Sequence, residues 1–183
     1  NTILYNHDLS LMKRIIDEAI THQISAVIAS DQAVIHYAAS KGLSVHISTQ
    51  VNISNSETVK FYAYFADVMV LDRELSMVQL RDIMQAIKRE QIKGPGGELV
   101  RIEVFAHGAL CMAISGKCYL SLHSHNASAN RGACIQNCRR TYEVRDRDEG
   151  IEYHIENEYI MSPKDLNTLP FLDQLLATGV DVL

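Results

Sequence analysis

Across 183 residues the chain has no apolar run of about 18 residues, no basic excess and, outside one 28-residue window, no cysteine. The first absence excludes a membrane-spanning helix. The N-terminus also lacks a charged region followed by an apolar stretch and a cleavage site, so the expected location is cytoplasmic. Lys and Arg number 17 against 22 Asp and Glu, a formal net charge of −5. No overall basic field therefore draws the chain to nucleic acid or an acidic membrane, and any RNA contact has to be a local patch. Three catalytic signatures are missing as well. No Gly-x-Gly-x-x-Gly follows the first expected strand, and there is neither a Gly-x-Ser-x-Gly elbow nor a His-Glu-x-x-His pair. A peptidase needs a nucleophile with a base, paired carboxylates or a catalytic metal, and none of these is evident.

What is present is a globular composition, 47% hydrophobic, ordered into repeated β/α units of about 20–30 residues. Residues 1–5, 25–30, 43–48, 67–71 and 99–106 read as strands. Residues 9–19, 32–40, 56–65 and 76–90 read as helices, with Asp31 as an N-cap and Gly42 as a C-terminal stop. The turn residues Lys93-Gly-Pro-Gly-Gly97 precede the fifth strand. Such units predict parallel strands joined by crossovers, either a doubly wound sheet or a barrel. Polar residues recur just after each strand, at Asn6-His7, Ser30-Asp31, Ser48-Thr-Gln50, Asp72-Arg-Glu74 and His107-Gly108. That recurrence favours a barrel, whose C-terminal mouth collects such residues; the alternative is that half of them are helix caps.

The fold expectation is thus α/β: a partial (β/α) TIM-type barrel with parallel strands, plus a cysteine-rich loop excursion and a β-hairpin. By segment, residues 1–107 carry consecutive barrel units, 108–140 the cysteine-rich segment, and 141–163 a hairpin pairing 142–145 with 152–155. Residues 164–183 return to the barrel through a helix at 164–177. Asn1 in place of an initiating methionine, and a terminal strand that only starts at 178–183, lead us to expect a piece of a longer chain.

Cys111, Cys118, Cys134 and Cys138 are the only cysteines. Clustered cysteines without a secretion signal point to metal or redox chemistry rather than structural disulfides. Cys134 and Cys138 are expected to share a helical turn, with Cys111 and Cys118 approaching from a loop. Four thiolates suit Zn²⁺ or an iron–sulfur cluster. Structural zinc sites usually use two tight ligand pairs; here the first pair has six residues between its members, and the wider spacing favours a [4Fe–4S] cluster.

The run Glu103-Val-Phe-Ala-His107-Gly108-Ala-Leu-Cys111 with Gly116-Lys-Cys118 resembles the signature of the collagenase-like peptidase family U32. So do His46-Ile-Ser-Thr-Gln50-Val-Asn52, Arg73-Glu-Leu75, Asn130-Arg131-Gly-Ala-Cys134, Gln136-Asn-Cys138-Arg139 and Ser162-Pro-Lys164-Asp165-Leu166, in family order. The resemblance implies a barrel, a [4Fe–4S] cluster on Cys111, Cys118, Cys134 and Cys138, and prephenate as oxygen-donating co-substrate. It implies hydroxylation of a tRNA wobble uridine, with an rRNA cytidine or a quinone precursor as other substrates and proteolysis as the rival activity. Some relatives take a fourth ligand after the later Asp-Leu; Asn167 stands there, so Cys138 is preferred.

The expected partners are tRNA and a small dicarboxylate donor. His107, at a strand end beside the cysteine loop, is the candidate for proton transfer or for donation to a substrate carboxylate, and Glu103 is grouped with it as catalytic. Arg131 and Arg139 are candidates for carboxylate or phosphate binding, or for balancing the charge of four thiolates. Gln50 and Asn52 offer neutral hydrogen-bonding groups for a base or small acid. Arg73-Glu74 is read as an internal ion pair, and His123 and His125 as loop histidines.

Overall fold

The computed structural model describes residues 1–111, 113–114, 117–153 and 165–183. Gly116 of the signature, the 154–155 end of the expected hairpin and Lys164 at the expected helix start lie outside the described residues. The chain forms two compact units, Asn1–His107 with Asn167–Leu183, and Gly108–Leu166.

In the first unit α1 (Leu9–Thr21), β1 (Ala26–Ala29), α2 (Gln32–Ser40), β2 (Ser44–Ile47), α3 (Ser56–Tyr62), β3 (Val68–Val70), α4 (Met77–Glu90) and β4 (Arg101–Glu103) follow one another. The strands make one parallel sheet in the order β1-β2-β3-β4. Each strand therefore lies beside its predecessor, and the sheet grows in a single direction without the reversal of a doubly wound fold.

Strand alternation explains what the sheet buries. Ala29, Ile47, Met69 and Ile102 stand in register across the four strands and are each at most 1% exposed. They share one core with Met12 and Ile16 of α1, Ile35 of α2, Val59 of α3 and Leu80, Ile83 and Ile87 of α4. Burying each Ile- or Met-sized chain stabilises the fold by about 1.5–3 kcal/mol. The next row, Ile28, His46, Val68 and Arg101, faces the other way. Val68 is buried there, but Ile28 is 52% exposed and Arg101 is exposed.

Polar side chains at the helix starts make the ends explicit. Asp31 caps α2 by accepting from the Ala33 N–H at 2.9 Å, and its other oxygen accepts the Leu4 N–H at 2.9 Å. That second bond corrects the expected first strand: the Leu4 N–H is taken by a carboxylate, and residues 1–5 are irregular before a 3₁₀ turn at Asn6–Asp8. Asn55 caps α3, and Ser76 with Gln79 makes a capping box on α4. After α4 the chain folds against Asp67, whose Oδ1 accepts the Gly96 N–H at 2.9 Å. A Cβ at Gly94 would come within 2.3 Å of that same oxygen, so the turn requires glycine there.

Two further expectations shorten. The expected strand 99–106 is regular only over Arg101–Glu103, because Leu99 turns back to bridge Lys93 in an antiparallel sense. Beyond it Val182 bridges Glu103 in parallel, and the Asp181 carboxylate accepts the Ile102 N–H at 2.8 Å. The expected helix 164–177 is regular only over Leu172–Leu176, after a 3₁₀ turn at Leu169–Phe171. Thr168 precedes that turn, and its N–H and hydroxyl both donate to the Ala106 carbonyl, a distant partner in place of an intrahelical one.

The second unit contains α5 (Tyr119–His125), 3₁₀ turns at Ala129–Arg131 and Asn137–Arg139, and an antiparallel pair of Val144–Arg145 with Glu152–Tyr153. The hairpin turn is closed by Asp146, whose Oδ1 accepts the N–H groups of Asp148 and Glu149.

Candidate functional site

In the first unit the residues following β1 and β2 form a connected polar cluster. The Ser30 hydroxyl donates to Gln50 Oε1 at 3.0 Å, the Gln50 N–H donates to Ser48 Oγ at 3.1 Å, and the Thr49 hydroxyl donates to the Leu71 carbonyl at 3.2 Å. Ser30, Ser48 and Thr49 are all buried. Asn52 ends the 3₁₀ turn Thr49–Val51 in the left-handed region, φ 55°, a conformation Asn tolerates better than most residues. Its amide donates to the Gln50 carbonyl at 3.4 Å, while its buried Oδ1 has no hydrogen-bond partner among the described residues. An unmatched buried acceptor costs about 1–3 kcal/mol, so this turn gives up stability at a place where polar groups gather.

Arg73 follows β3, and its guanidinium lies 5.0 Å over the ring centre of Phe105, which follows β4. This cation–π contact links the segment after β3 to the segment after β4. Glu103 closes β4 half-buried, its carbonyl accepting the Leu71 N–H at 3.0 Å, and His107 is exposed.

The four cysteines belong to the second unit and none is in a disulfide; Cys111 and Cys134 are exposed, Cys118 and Cys138 partly covered. The expectation that Cys134 and Cys138 share a helical turn is corrected. Cys134 is in irregular chain, and Gln136 at φ 53° breaks the path before the 3₁₀ turn that carries Cys138. Cys118 is the N-cap residue of α5. Burial pushes the Cys138 thiol above its ordinary pKa, and the charges of Cys111, Cys134 and Cys118 push it the same way. All four sulfurs therefore share one electrostatic neighbourhood. Yet among the described residues no three His, Cys, Asp or Glu side chains converge as tightly as a single metal ion requires. A zinc ion, with Zn–S bonds of about 2.3 Å, needs the tighter arrangement; a four-iron cluster spreads its thiolates more widely. Four thiolates are donors of the type that either group takes.

Asn137, which the sequence reading passed over, ties this region together. It is 2% exposed and its Nδ2 donates to Ser124 Oγ at 2.6 Å and to the Leu120 carbonyl at 3.3 Å, both on α5. Its Oδ1 accepts the Ser121 hydroxyl at 3.4 Å, and its carbonyl accepts the Tyr142 hydroxyl at 2.7 Å. The only signal in the sequence was an Asn beside Cys138, which carries no periodicity.

Arg131 ends the 3₁₀ turn Ala129–Arg131, half-buried, before Gly132 at φ +81°. Arg139 is engaged with Asp165, Nη2 to Oδ1 at 2.6 Å. This gives Arg139 a structural partner inside the unit. His123 and His125 are exposed on the last turn of α5, not in a loop.

Comparison with known proteins adds a family and a set of activities. The family model described as Peptidase family U32 matches residues 1–183. A protein named collagenase from Porphyromonas gingivalis is 60% identical over 182 residues, covering 100% of this chain and 44% of that protein. A 23S rRNA 5-hydroxycytidine synthase of Escherichia coli is 35% identical, covering 98% of this chain and 26% of that protein. A tRNA hydroxylation protein of Helicobacter pylori is 30% identical, covering 98% and 42%. The chain thus spans less than half the length of these relatives. No solved structure matches it significantly.

Proposed function

Since the chain belongs to peptidase family U32, we propose that it is the cluster-binding part of an enzyme that hydroxylates a pyrimidine base in RNA, most simply a tRNA uridine. The observation carrying this reading is the gathering of all four cysteines in one unit, none of them in a disulfide. Relatives named for tRNA and rRNA hydroxylation, at 30% and 35% identity, supply the substrate class.

In this reading Cys111, Cys118, Cys134 and Cys138 hold a [4Fe–4S] cluster. Bound there, the group supplies redox or Lewis-acid chemistry at iron. Hydroxylation replaces a C–H bond of the base by C–OH, a two-electron oxidation, so the oxygen donor must also accept two electrons. Prephenate, the donor implied by the family resemblance, presents carboxylates that Arg131 can grip with its planar fork. Gln50 and Asn52 offer amides to a base edge, and His107, exposed after β4, is available to move a proton. We also infer that the sheet belongs to a (β/α)₈-type barrel. Its unidirectional strand order and the half-open face at Ile28 support that closure.

The test compares modified nucleosides from cells with and without the full-length protein. Loss of 5-hydroxyuridine derivatives is expected. The second reading, a peptidase, is favoured by the 60% identical relative named collagenase. Unchanged nucleosides together with gelatin cleavage that needs no iron would reverse the ranking.

A further inference from the structure

We propose that Asn137 is the positioning residue of the cysteine site: it locks the turn bearing Cys138 onto the helix that Cys118 caps. The inference rests on the four-cysteine reading above, but it concerns a residue that is neither a ligand nor a substrate contact.

The geometry is specific. Cys138 lies in the 3₁₀ turn Asn137–Arg139, a single turn that has too few internal bonds to hold its own orientation. The chain enters that turn through Gln136 in the left-handed region and leaves it extended at Arg140, so neither flank continues it. Besides the Arg139–Asp165 pair, what fixes it is Asn137. Its amide spans one face of α5, reaching the Leu120 carbonyl, Ser121 and Ser124, positions one, two and five residues into the helix from its start at Tyr119. Cys118 immediately precedes that helix. Two of the four ligands are thus referred to the same seven-residue element, one by covalent continuity and one through Asn137.

The side chain's environment shows why an amide is needed. Asn137 and Ser121 are 2% and 1% exposed, so each polar atom here must find a partner inside the protein. An amide presents two donors and an acceptor at once. Aspartate keeps acceptors but loses both donors; leucine fills the space and leaves Ser121 and the Leu120 carbonyl without this partner. Tyr142 closes the arrangement from the other side, its hydroxyl donating to the Asn137 carbonyl at 2.7 Å. Because that bond is to backbone, it holds the turn even when the amide is altered. The two attachments can therefore be removed separately.

The experiment uses the full-length protein, with two measurements. The first is iodoacetamide alkylation of each cysteine in metal-free protein, read peptide by peptide. Asn137→Leu is expected to speed alkylation of Cys138 roughly tenfold, the scale of one or two lost buried hydrogen bonds, while exposed Cys111 is unchanged. Ser124→Ala and Tyr142→Phe should each give a smaller acceleration, about two- to fivefold, and Asn137→Asp a value between these and Leu. The second is loss of the charge-transfer absorbance under a chelator after anaerobic reconstitution. There Asn137→Leu should lose iron faster with a normal starting content. Should Asn137→Leu fail to fold, the milder Ser124→Ala and Tyr142→Phe decide the matter. Cys138 alkylation unchanged in folded variants would overturn the proposal. If wild-type protein takes up no iron while alkylation follows the expected order, the cluster reading falls and the role of Asn137 in placing Cys138 stands.

Discussion

Arg139 holds Asp165 at 2.6 Å, and only 18% of the Arg139 side chain is exposed while Asp165 remains 46% exposed. The pair closes a loop of 26 residues within the second unit, from the turn that carries Cys138 to the start of the Asp-Leu block. Arginine in such a pair is an anchor for chain geometry. Asp165→Ala should lower the unfolding free energy by about 0.5–1.5 kcal/mol, discounted for the exposure of the carboxylate, with the loss shrinking in high salt. Chemical denaturation at two ionic strengths measures it. A salt-independent change would mean that packing, and not charge, links the two residues.

The Cys138 thiol gives a pH signature. Burial first, and the neighbouring thiolates second, raise its pKa above the ordinary thiol value. A group raised in the folded state stabilises the fold below its unfolded pKa, about 8.5 for cysteine, and that contribution is lost as pH rises through the folded value. Metal-free protein should therefore show a urea midpoint that falls more steeply than that of Cys138→Ser as pH rises above about 8.5. Parallel curves for the two proteins would remove the thiol from the account.

How much of this was legible beforehand divides along physical lines. The helices over 32–40 and 76–90 were readable because their caps, Asp31 and Ser76, and their apolar spacing are local signals. The strands were readable as apolar runs, but their ends were not. β4 begins only at Arg101 because Leu99 pairs back with Lys93, and at its other end Glu103 is bridged by Val182 from the far end of the chain, a tertiary fact with no local mark. Residues 1–5 looked like a strand by composition, yet the Leu4 N–H goes to Asp31, 27 residues away. At the candidate site, residue type announced the cysteines, whereas Asn137 and the Arg139–Asp165 pair depend on segments brought together only by folding.

Asn52 combines a left-handed backbone with a buried, unpartnered carbonyl oxygen. Asn52→Gly keeps the backbone conformation at no steric cost and deletes the unmatched acceptor, which offsets the flexibility that glycine adds to the unfolded chain. Stability should therefore change by less than about 0.5 kcal/mol. If the amide reads a base edge, affinity of the full-length protein for a uridine-containing oligonucleotide should still fall roughly tenfold. Thermal melts and filter-binding titrations separate the two effects. A clear loss of stability with unchanged RNA affinity would make Asn52 a structural residue only.

Arg131 is the candidate for gripping the carboxylates of the donor. A charge-assisted bidentate contact contributes on the order of 1.5–3 kcal/mol, so Arg131→Ala in the full-length protein should weaken prephenate binding roughly ten- to a hundredfold. Arg131→Lys keeps the charge without the planar fork and should recover only part of that loss. Iron content should stay at the wild-type level in both, because guanidinium is not a cluster ligand. Cys111→Ala behaves differently: it removes a thiolate, so iron and activity should fall together. Measuring iron by mass spectrometry and donor binding by calorimetry on the same preparations keeps assembly apart from recognition. Arg131→Ala protein that loses iron, while its metallated fraction binds prephenate normally, would place Arg131 in charge compensation around the thiolates and leave the donor site to be found elsewhere.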